Sequence, residues 1–233
     1  TWFNTNGLCL NKNKTQELFL STNPTLLNGK NIKLLGITID DGLNWQAHIN
    51  QVSSKLASTI FLLRKLRPLL SFSLLLSAYH ALFQSRLMYG ILIWGSSSYA
   101  IKIFRLQKRA VRILANASLR DHCKPLFLKY GILTFPCLYI ISMLIEIHKK
   151  QKTMVKNSDV HSYNTRQAQH IKTAKYKFTK SIKNSLDISM YNNLPESYKN
   201  LPLTTFKHKI TKHCKMHNFY SVDEYKQTPP IHL

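Results

Sequence analysis

Between Tyr99 and Ala117 the chain reads YAIKIFRLQKRAVRILANA, a separation of charged and apolar residues that suits a helix and little else. At 3.6 residues per turn, Lys102, Arg105, Lys108, Arg109 and Arg112 fall within one arc of about 120°. Ile103, Phe104, Leu106, Ala110, Val111, Ile113 and Leu114 occupy the opposite side, and only Ile101 strays into the basic arc. The spacing predicts a helix that buries one face and holds its cations in a row about 15 Å long. No acid interrupts the segment, so these cations have no intrahelical ion-pair partner and repel one another. A solvated charged face is one reading; a face that receives a polyanion is the other.

Helical periodicity continues on the N-terminal side. Asn44 is placed to cap a helix in which Trp45, Ile49, Val52, Leu56, Ile60, Leu63 and Leu66 recur at three- and four-residue steps. Arg67-Pro68 ends it, because proline disfavours a helical residue before it. Ser71 starts a second, longer helix toward Trp94, stopped by Gly95 and the serines that follow. With the cationic segment these predict a helical bundle joined by short connections. The apolar window Leu69 to Trp94 contains His80, Gln84 and Arg86, so a buried helix is expected there rather than a membrane span. Asp121 to Lys150 adds two apolar helices, with Pro136 suited to the first turn of the second.

The chain of 233 residues carries a formal charge of +23, unevenly distributed. Residues 1–60 hold five basic residues against three acidic ones, 61–150 fourteen against two, and 151–233 fourteen against five. An apolar content of 44% is that of a globular protein, so the charge belongs to folded surfaces. Nucleic acid is the natural partner for cations spread over many elements, ahead of an anionic membrane. Cys9, Cys123, Cys137 and Cys214 stand apart without a CxxC pair, which fits reduced thiols inside a cell. No signal peptide is visible, and the absence of an initiator Met fits a piece of something longer.

The first 42 residues read as β-rich after a short helical lead. Glu17 to Ser21 and Asn31 to Asp40 look like strands, with Asn28-Gly29 as a hairpin-type turn between them. Gly36 inside the second strand marks a bulge or a close approach. Asp40-Asp41 admits two readings. Adjacent carboxylates at a strand end can hold Mg²⁺, but two-metal chemistry wants a third carboxylate nearby, and Glu17 is the only other acid in this part. The competing reading is a strand–turn junction, with Asp41-Gly42 supplying the turn.

The C-terminal third changes composition at Lys149-Lys150-Gln151-Lys152. His161 to Arg166 (HSYNTR) sets Tyr163 near Arg166, residue types that suit base stacking and phosphate contact; a loop anchored by its tyrosine is the other reading. Lys172, Lys175, Lys177, Lys180 and Lys183, interleaved with Tyr176 and Phe178, form a second basic stretch suited to a single strand; two aromatics that belong to the core are the other reading. A last helix starts at Thr204, with Phe206, Ile210 and Cys214 inward and Lys207, Lys212 and Lys215 outward. His122-Cys123 and the His213/Cys214/His217 group lack the further ligands that zinc requires, so no metal site is expected.

Several blocks carry a family resemblance. Asn6-Gly7-Leu8-Cys9-Leu10-Asn11-x-x-Lys14-Thr15, Leu34-Leu35-Gly36-Ile37-x-Ile39-Asp40 and Leu43-x-Trp45-x-x-His48-Ile49 resemble the palm-to-thumb passage of non-LTR (LINE-type, jockey-like) retrotransposon reverse transcriptases. Leu63-Arg64-x-Leu66-Arg67-Pro68, Tyr89-Gly90-Ile91-x-Ile93-Trp94-Gly95 and Leu106-Gln107-Lys108-Arg109-Ala110-Val111-Arg112 extend it. So do Pro125-Leu126-Phe127, the HSYNTR block and Leu194-Pro195, in the family's order over nearly the whole chain.

The resemblance implies that the first block is motif D, with Lys14 near the leaving pyrophosphate, and the second is motif E, with Leu34, Leu35 and Gly36 as primer grip. The helical bundle would be the thumb. The family's catalytic aspartates belong to motifs upstream of motif D that this sequence does not contain, so Mg²⁺ and dNTPs are implied for a full-length parent and no cofactor for this chain. The expected fold class is α+β, mostly α-helical. It comprises a small β-rich palm remnant (1–43), a helical thumb-like bundle (44–118), a helical extension (119–150), a linker (151–171), a basic, partly irregular segment (172–220) and a disordered tail (221–233). Implied partners are an RNA template, an RNA–DNA or DNA duplex and the upstream palm and fingers, in nucleus and cytoplasm, with no membrane. The expected nucleic-acid contacts are Lys102, Arg105, Lys108, Arg109, Arg112, Tyr163, Arg166, Lys175, Lys177 and Lys180. A stand-alone, non-enzymatic nucleic-acid-binding protein derived from such an element is the other functional reading.

Overall fold

The computed structural model describes residues 2–9, 11, 13–21, 23–160, 163, 165–173 and 188–228. The fold is α+β and mostly helical, with one two-stranded antiparallel sheet among the described residues. After a single helical turn, α1 (Trp2–Thr5), the sheet is formed by β1 (Asn31–Leu34) and β2 (Ile37–Asp40). Its register pairs Asn31 with Asp40 and Leu34 with Ile37. The ten residues expected as one strand are therefore folded at their middle. Leu35 (φ 48°) and Gly36 (φ 81°) both sit in the left-handed region, as a two-residue turn between right-twisted strands requires. Asn28-Gly29 precedes the hairpin instead of forming its turn, and Glu17 to Ser21 carries no strand. β2 buries Ile37, Thr38 and Asp40 beside α2 (Gln46–Leu66), whereas β1 is largely exposed.

Helix α2 follows its periodicity, burying Ile49, Val52, Leu56, Ile60 and Leu63 on one side. The longer helix expected from Ser71 to Trp94 is instead interrupted. It runs as α3 (Phe72–Ala78), a π-helical turn (Tyr79–Gln84), α4 (Ser85–Met88) and α5 (Ile91–Trp94). The break falls at Tyr89, which is extended, and Gly90, at φ +63°. A Cβ on Gly90 would lie 2.8 Å from Ile37 Cδ1, so the hairpin decides where this helix bends. The bend sends Trp94 fully inside, its ring stacked 5.6 Å from Phe135 and its Nε1–H donating to Tyr89 O at 2.9 Å.

Then come α6 (Ile101–Ala115), α7 (Cys123–Lys129) and α8 (Phe135–Lys150). Helix α8 is apolar almost all round and buries eleven of its residues, which makes it the central post. Thr134 caps it, its Oγ1 accepting Cys137 N–H at 3.3 Å, with Pro136 in the first turn as expected. Helices α5 and α6 pack on α8, and so do α9 (Ile188–Asn192), α11 (Leu203–His217) and α12 (Val222–Gln227); α10 (Glu196–Lys199) lies between α9 and α11 in sequence. Helix α12 corrects the expectation of a disordered tail (221–233) over the residues described there; 229–233 lie outside the described residues. Ser221 Oγ caps it by accepting Glu224 N–H at 3.0 Å, and Tyr225 inserts between His213 and Phe219. Among the described residues no helix is long and apolar enough to cross a membrane.

Candidate nucleic-acid interface

A short 3₁₀ turn, Ser98–Ala100, leads into α6, and Ser97 Oγ fixes it by accepting Tyr99 N–H at 3.3 Å. Asn116, left-handed at φ 55°, ends the helix by returning its N–H to the carbonyls of Arg112 and Ile113. Ile103, Phe104, Ala110, Val111 and Leu114 are buried between α2, α7 and α8. Gln107 is fully buried at the centre of that apolar arc. Its Nε2 donates to Tyr79 Oη (3.0 Å) and Leu133 O (2.9 Å), and its Oε1 accepts Phe135 N–H (2.6 Å). Every polar atom of its amide is used, so it locks the orientation of α6 against the start of α8. A lone Gln at the centre of an otherwise apolar arc is the sequence signal for this lock.

The outward face is less uniform than its charge pattern. Lys102 Nζ donates to Asn50 Oδ1 at 2.9 Å, where the starts of α2 and α6 meet. Arg112 places both Nε and Nη2 on the carbonyl of Asp121, at 2.9 and 2.8 Å, and so closes the turn after α6. Lys108 Nζ stands 4.9 Å above the Phe104 ring and 5.6 Å from that of Tyr220. Arg105 and Arg109, one turn apart, are exposed and make no hydrogen bond or ion pair among the described residues. The few acids near basic groups are engaged elsewhere, Glu224 with Lys124, Glu146 with Lys149 and Lys150, and Glu196 with Lys199. The face thus presents two free guanidinium forks flanked by three tethered cations, and among the described residues no carboxylate is ion-paired with any of the five.

The other expected contacts do not converge on this face. Leu34 and Leu35 are exposed at the hairpin tip, and Tyr89 Oη donates to Leu35 O with its ring lying under Gly36. Lys14 is exposed on a turn closed by Asn11, and no hydrogen bond joins it to the tip or to α6 among the described residues. Tyr163 and Arg166 are exposed in the C-terminal third, and Lys175, Lys177 and Lys180 lie outside the described residues.

Asp40 and Asp41 do not fit a Mg²⁺ site. Both are buried; Asp40 accepts the N–H groups of Asn44 (2.8 Å) and Trp45 (2.7 Å), and Asp41 accepts that of Asn28 (2.8 Å). Asp40 rather than Asn44 is therefore the principal tie at the entry to α2, while Asn44 Oδ1 accepts Gln46 N–H at 2.9 Å. Buried His48, whose Nδ1 accepts Thr38 N–H at 3.3 Å, has its pKa lowered by burial first and by the Lys55 charge second. The Cys123 thiol donates to Lys108 O at 3.4 Å, and burial pushes its pKa up. His213 and His217 have ring centres 4.7 Å apart, with His213 Nε2 3.2 Å from Thr228 O. Among the described residues no group of three or more His, Cys, Asp or Glu side chains could hold a metal ion. Compared with known proteins, the chain matches no family model, no curated protein and no solved structure.

Proposed function

We propose that this chain is the downstream portion of a non-LTR retrotransposon reverse transcriptase and that α6 holds the sugar–phosphate backbone of the template–primer duplex. The reading rests on the ordered blocks of resemblance and on one structural observation, the exposed and unpartnered pair Arg105 and Arg109 on a helix without an acid. Guanidinium forks donate two parallel hydrogen bonds to a phosphate, and each phosphate neutralised releases counterions from the duplex. Lys102, Lys108 and Arg112 add field at the margins while remaining tied to the protein. Leu34, Leu35 and Gly36 at the hairpin tip are the primer-grip residues of this reading, and Lys14 is its motif D lysine. Phosphoryl transfer, with Mg²⁺ and dNTPs, belongs to the full-length parent.

The test is binding of an RNA–DNA hybrid duplex followed by fluorescence anisotropy across a salt series. With three or four phosphates neutralised, log K against log salt slopes at about −3 to −4. The double variant Arg105→Glu/Arg109→Glu lowers affinity at least about tenfold and flattens the slope by about 2. A slope near zero, or undiminished binding by the variant, overturns the reading.

A further inference from the structure

A second site lies in the C-terminal third. The loop after α8 folds back on itself through a bridge between Lys156 and Ile171, with Asn157 N–H donating to His170 O at 3.0 Å and Lys172 N–H to Val155 O at 2.8 Å. Asn192 of α9 clamps that loop, its amide bonding both the N–H (3.0 Å) and the carbonyl (2.9 Å) of Ile171. Behind it, Tyr191 Oη donates to Gln151 Oε1 at 2.6 Å and lies 2.9 Å from His148 Nδ1, and Gln151 Nε2 donates to Lys199 O at 3.2 Å. The back wall therefore spends its polar groups on holding itself in place.

This wall and the loop enclose a cavity of about 540 Å³, within the range of sites that take small organic ligands. Its mouth differs from its wall. Arg166, His170 and Asn200 line it, and none of their side chains makes a hydrogen bond among the described residues. Lys156 adds a second cation, its Nζ donating to the neutral Gln169 Oε1 at 3.0 Å while the Asp159 carboxylate accepts its backbone N–H at 2.7 Å. Among the described residues the one acid in the lining, Glu196, is already paired with Lys199 at 2.9 Å. The groups on offer are thus a guanidinium fork, an ammonium with donors to spare beyond its bond to Gln169, a flat imidazole and an amide with both donors and an acceptor. Phosphate suits the first two; the face and hydrogen-bonding edge of a base suit the others. A duplex keeps its bases stacked inside and cannot offer one to a cavity of this size.

We propose that this cavity is a nucleotide site. It takes one unpaired nucleotide, free or within a single strand, with its phosphate on Arg166 and Lys156 and its base against His170 and Asn200. The site is separate from α6 and does not rest on the duplex-binding reading.

Calorimetric titration of the full chain with AMP, inorganic phosphate and a single-stranded ten-residue oligoadenylate tests it. Arg166→Ala and Asn200→Ala remove exposed side chains without internal bonds, so both variants keep the parent's melting curve. AMP affinity falls about tenfold in Arg166→Ala and several-fold in Asn200→Ala, and phosphate binds far more weakly than AMP. If AMP gives no heat but the oligonucleotide loses affinity in both variants, the site takes the nucleotide from a strand. Phosphate binding as tightly as AMP, or affinities unmoved in both variants for both nucleotide ligands, overturns the proposal. Binding of the oligonucleotide by Arg105→Glu/Arg109→Glu at parental strength keeps the two sites distinct, so failure of one reading is visible apart from failure of the other.

Discussion

Residues 2–42 and the helices from Gln46 to Lys150 use the same apolar residue types with opposite results. In the first region Trp2, Phe3, Phe19, Leu20, Leu34 and Leu35 are exposed and Ile37 is buried; in the second Leu63, Tyr79, Phe83, Trp94 and Phe127 are fully buried, although Phe61, Leu69 and Leu74 stay exposed. The difference is the length over which a pattern repeats. Helix α2 presents more than five turns of one apolar stripe, and α8, more than four turns long, is apolar almost all round, so each can bury a continuous surface against several neighbours. The N-terminal elements are three or four residues long, and among the described residues β1 has an unpaired outer edge. Apolar content makes a core only when periodicity brings it to one side.

The comparison is put under most strain at Trp94. This side chain is fully buried, stacked on Phe135 and 5.7 Å from the His48 ring, and it joins α5, α2 and α8 while its Nε1–H ties down the Tyr89 bend. Trp94→Ala removes that contact and leaves a cavity the surrounding helices cannot close, a loss of about 3–5 kcal/mol in stability. Urea unfolding monitored by circular dichroism measures it. A loss under about 1 kcal/mol would mean that the bundle is no better consolidated than the hairpin.

What could be read from the sequence follows the same division. Helices α2 and α6 stand where their periodicity puts them, and α8 where apolar content and Pro136 do, because each is long enough for local pattern and burial to agree. The break at Tyr89-Gly90 had a visible signal in Gly90 itself, but its packing against Ile37, more than fifty residues earlier in the chain, is set only by folding. The hairpin turn was misplaced because Asn28-Gly29 has the better local turn chemistry, whereas Leu35 is held left-handed with its carbonyl bound to Tyr89 Oη. In the tail the sequence does carry the signal, since Ser221-x-x-Glu224 is a capping pattern that outweighs the polar composition. The cationic arc of α6 was visible in full, but not which of its members are free. Asn50 and the Asp121 carbonyl, which occupy Lys102 and Arg112, meet the helix only through folding.

Acid separates the two regions by a graded effect. Residues 1–42 contain no histidine, while His48, His148 and His213 are buried in the helical part with pKa values lowered chiefly by burial. Carbonyls oppose that shift at two of them, Leu201 O at His148 and Thr228 O at His213, without reversing it. In the unfolded chain these groups titrate near 6.5. Between that value and their lower folded values the unfolded state binds more protons, so stability rises with pH across this window. The contribution is complete above the unfolded pKa and is lost as pH falls from there toward the folded values. Thermal melts at pH 7.5, 6.5 and 5.5 should show a progressive fall in Tm, smaller than that caused by Trp94→Ala. A flat profile, or a Tm that rises toward pH 5.5, contradicts it.

The smallest effect is expected at the hairpin tip, where the comparison can be sharpened. Leu35 is 82% exposed and left-handed, a conformation that costs a non-glycine residue about 1–2 kcal/mol and that Asn tolerates best. Leu35→Asn makes the turn Asn-Gly, keeps the carbonyl that Tyr89 binds and removes an apolar side chain that packs on nothing substantial. Stability should stay level or rise by about 0.5 kcal/mol, the reverse of the response in the bundle. If Leu35 belongs to a primer grip, the same variant weakens hybrid-duplex binding although the fold is unharmed. Stability lost together with binding would show instead that Leu35 is structural, and the contrast between an idle apolar surface and a packed one would no longer hold at this residue.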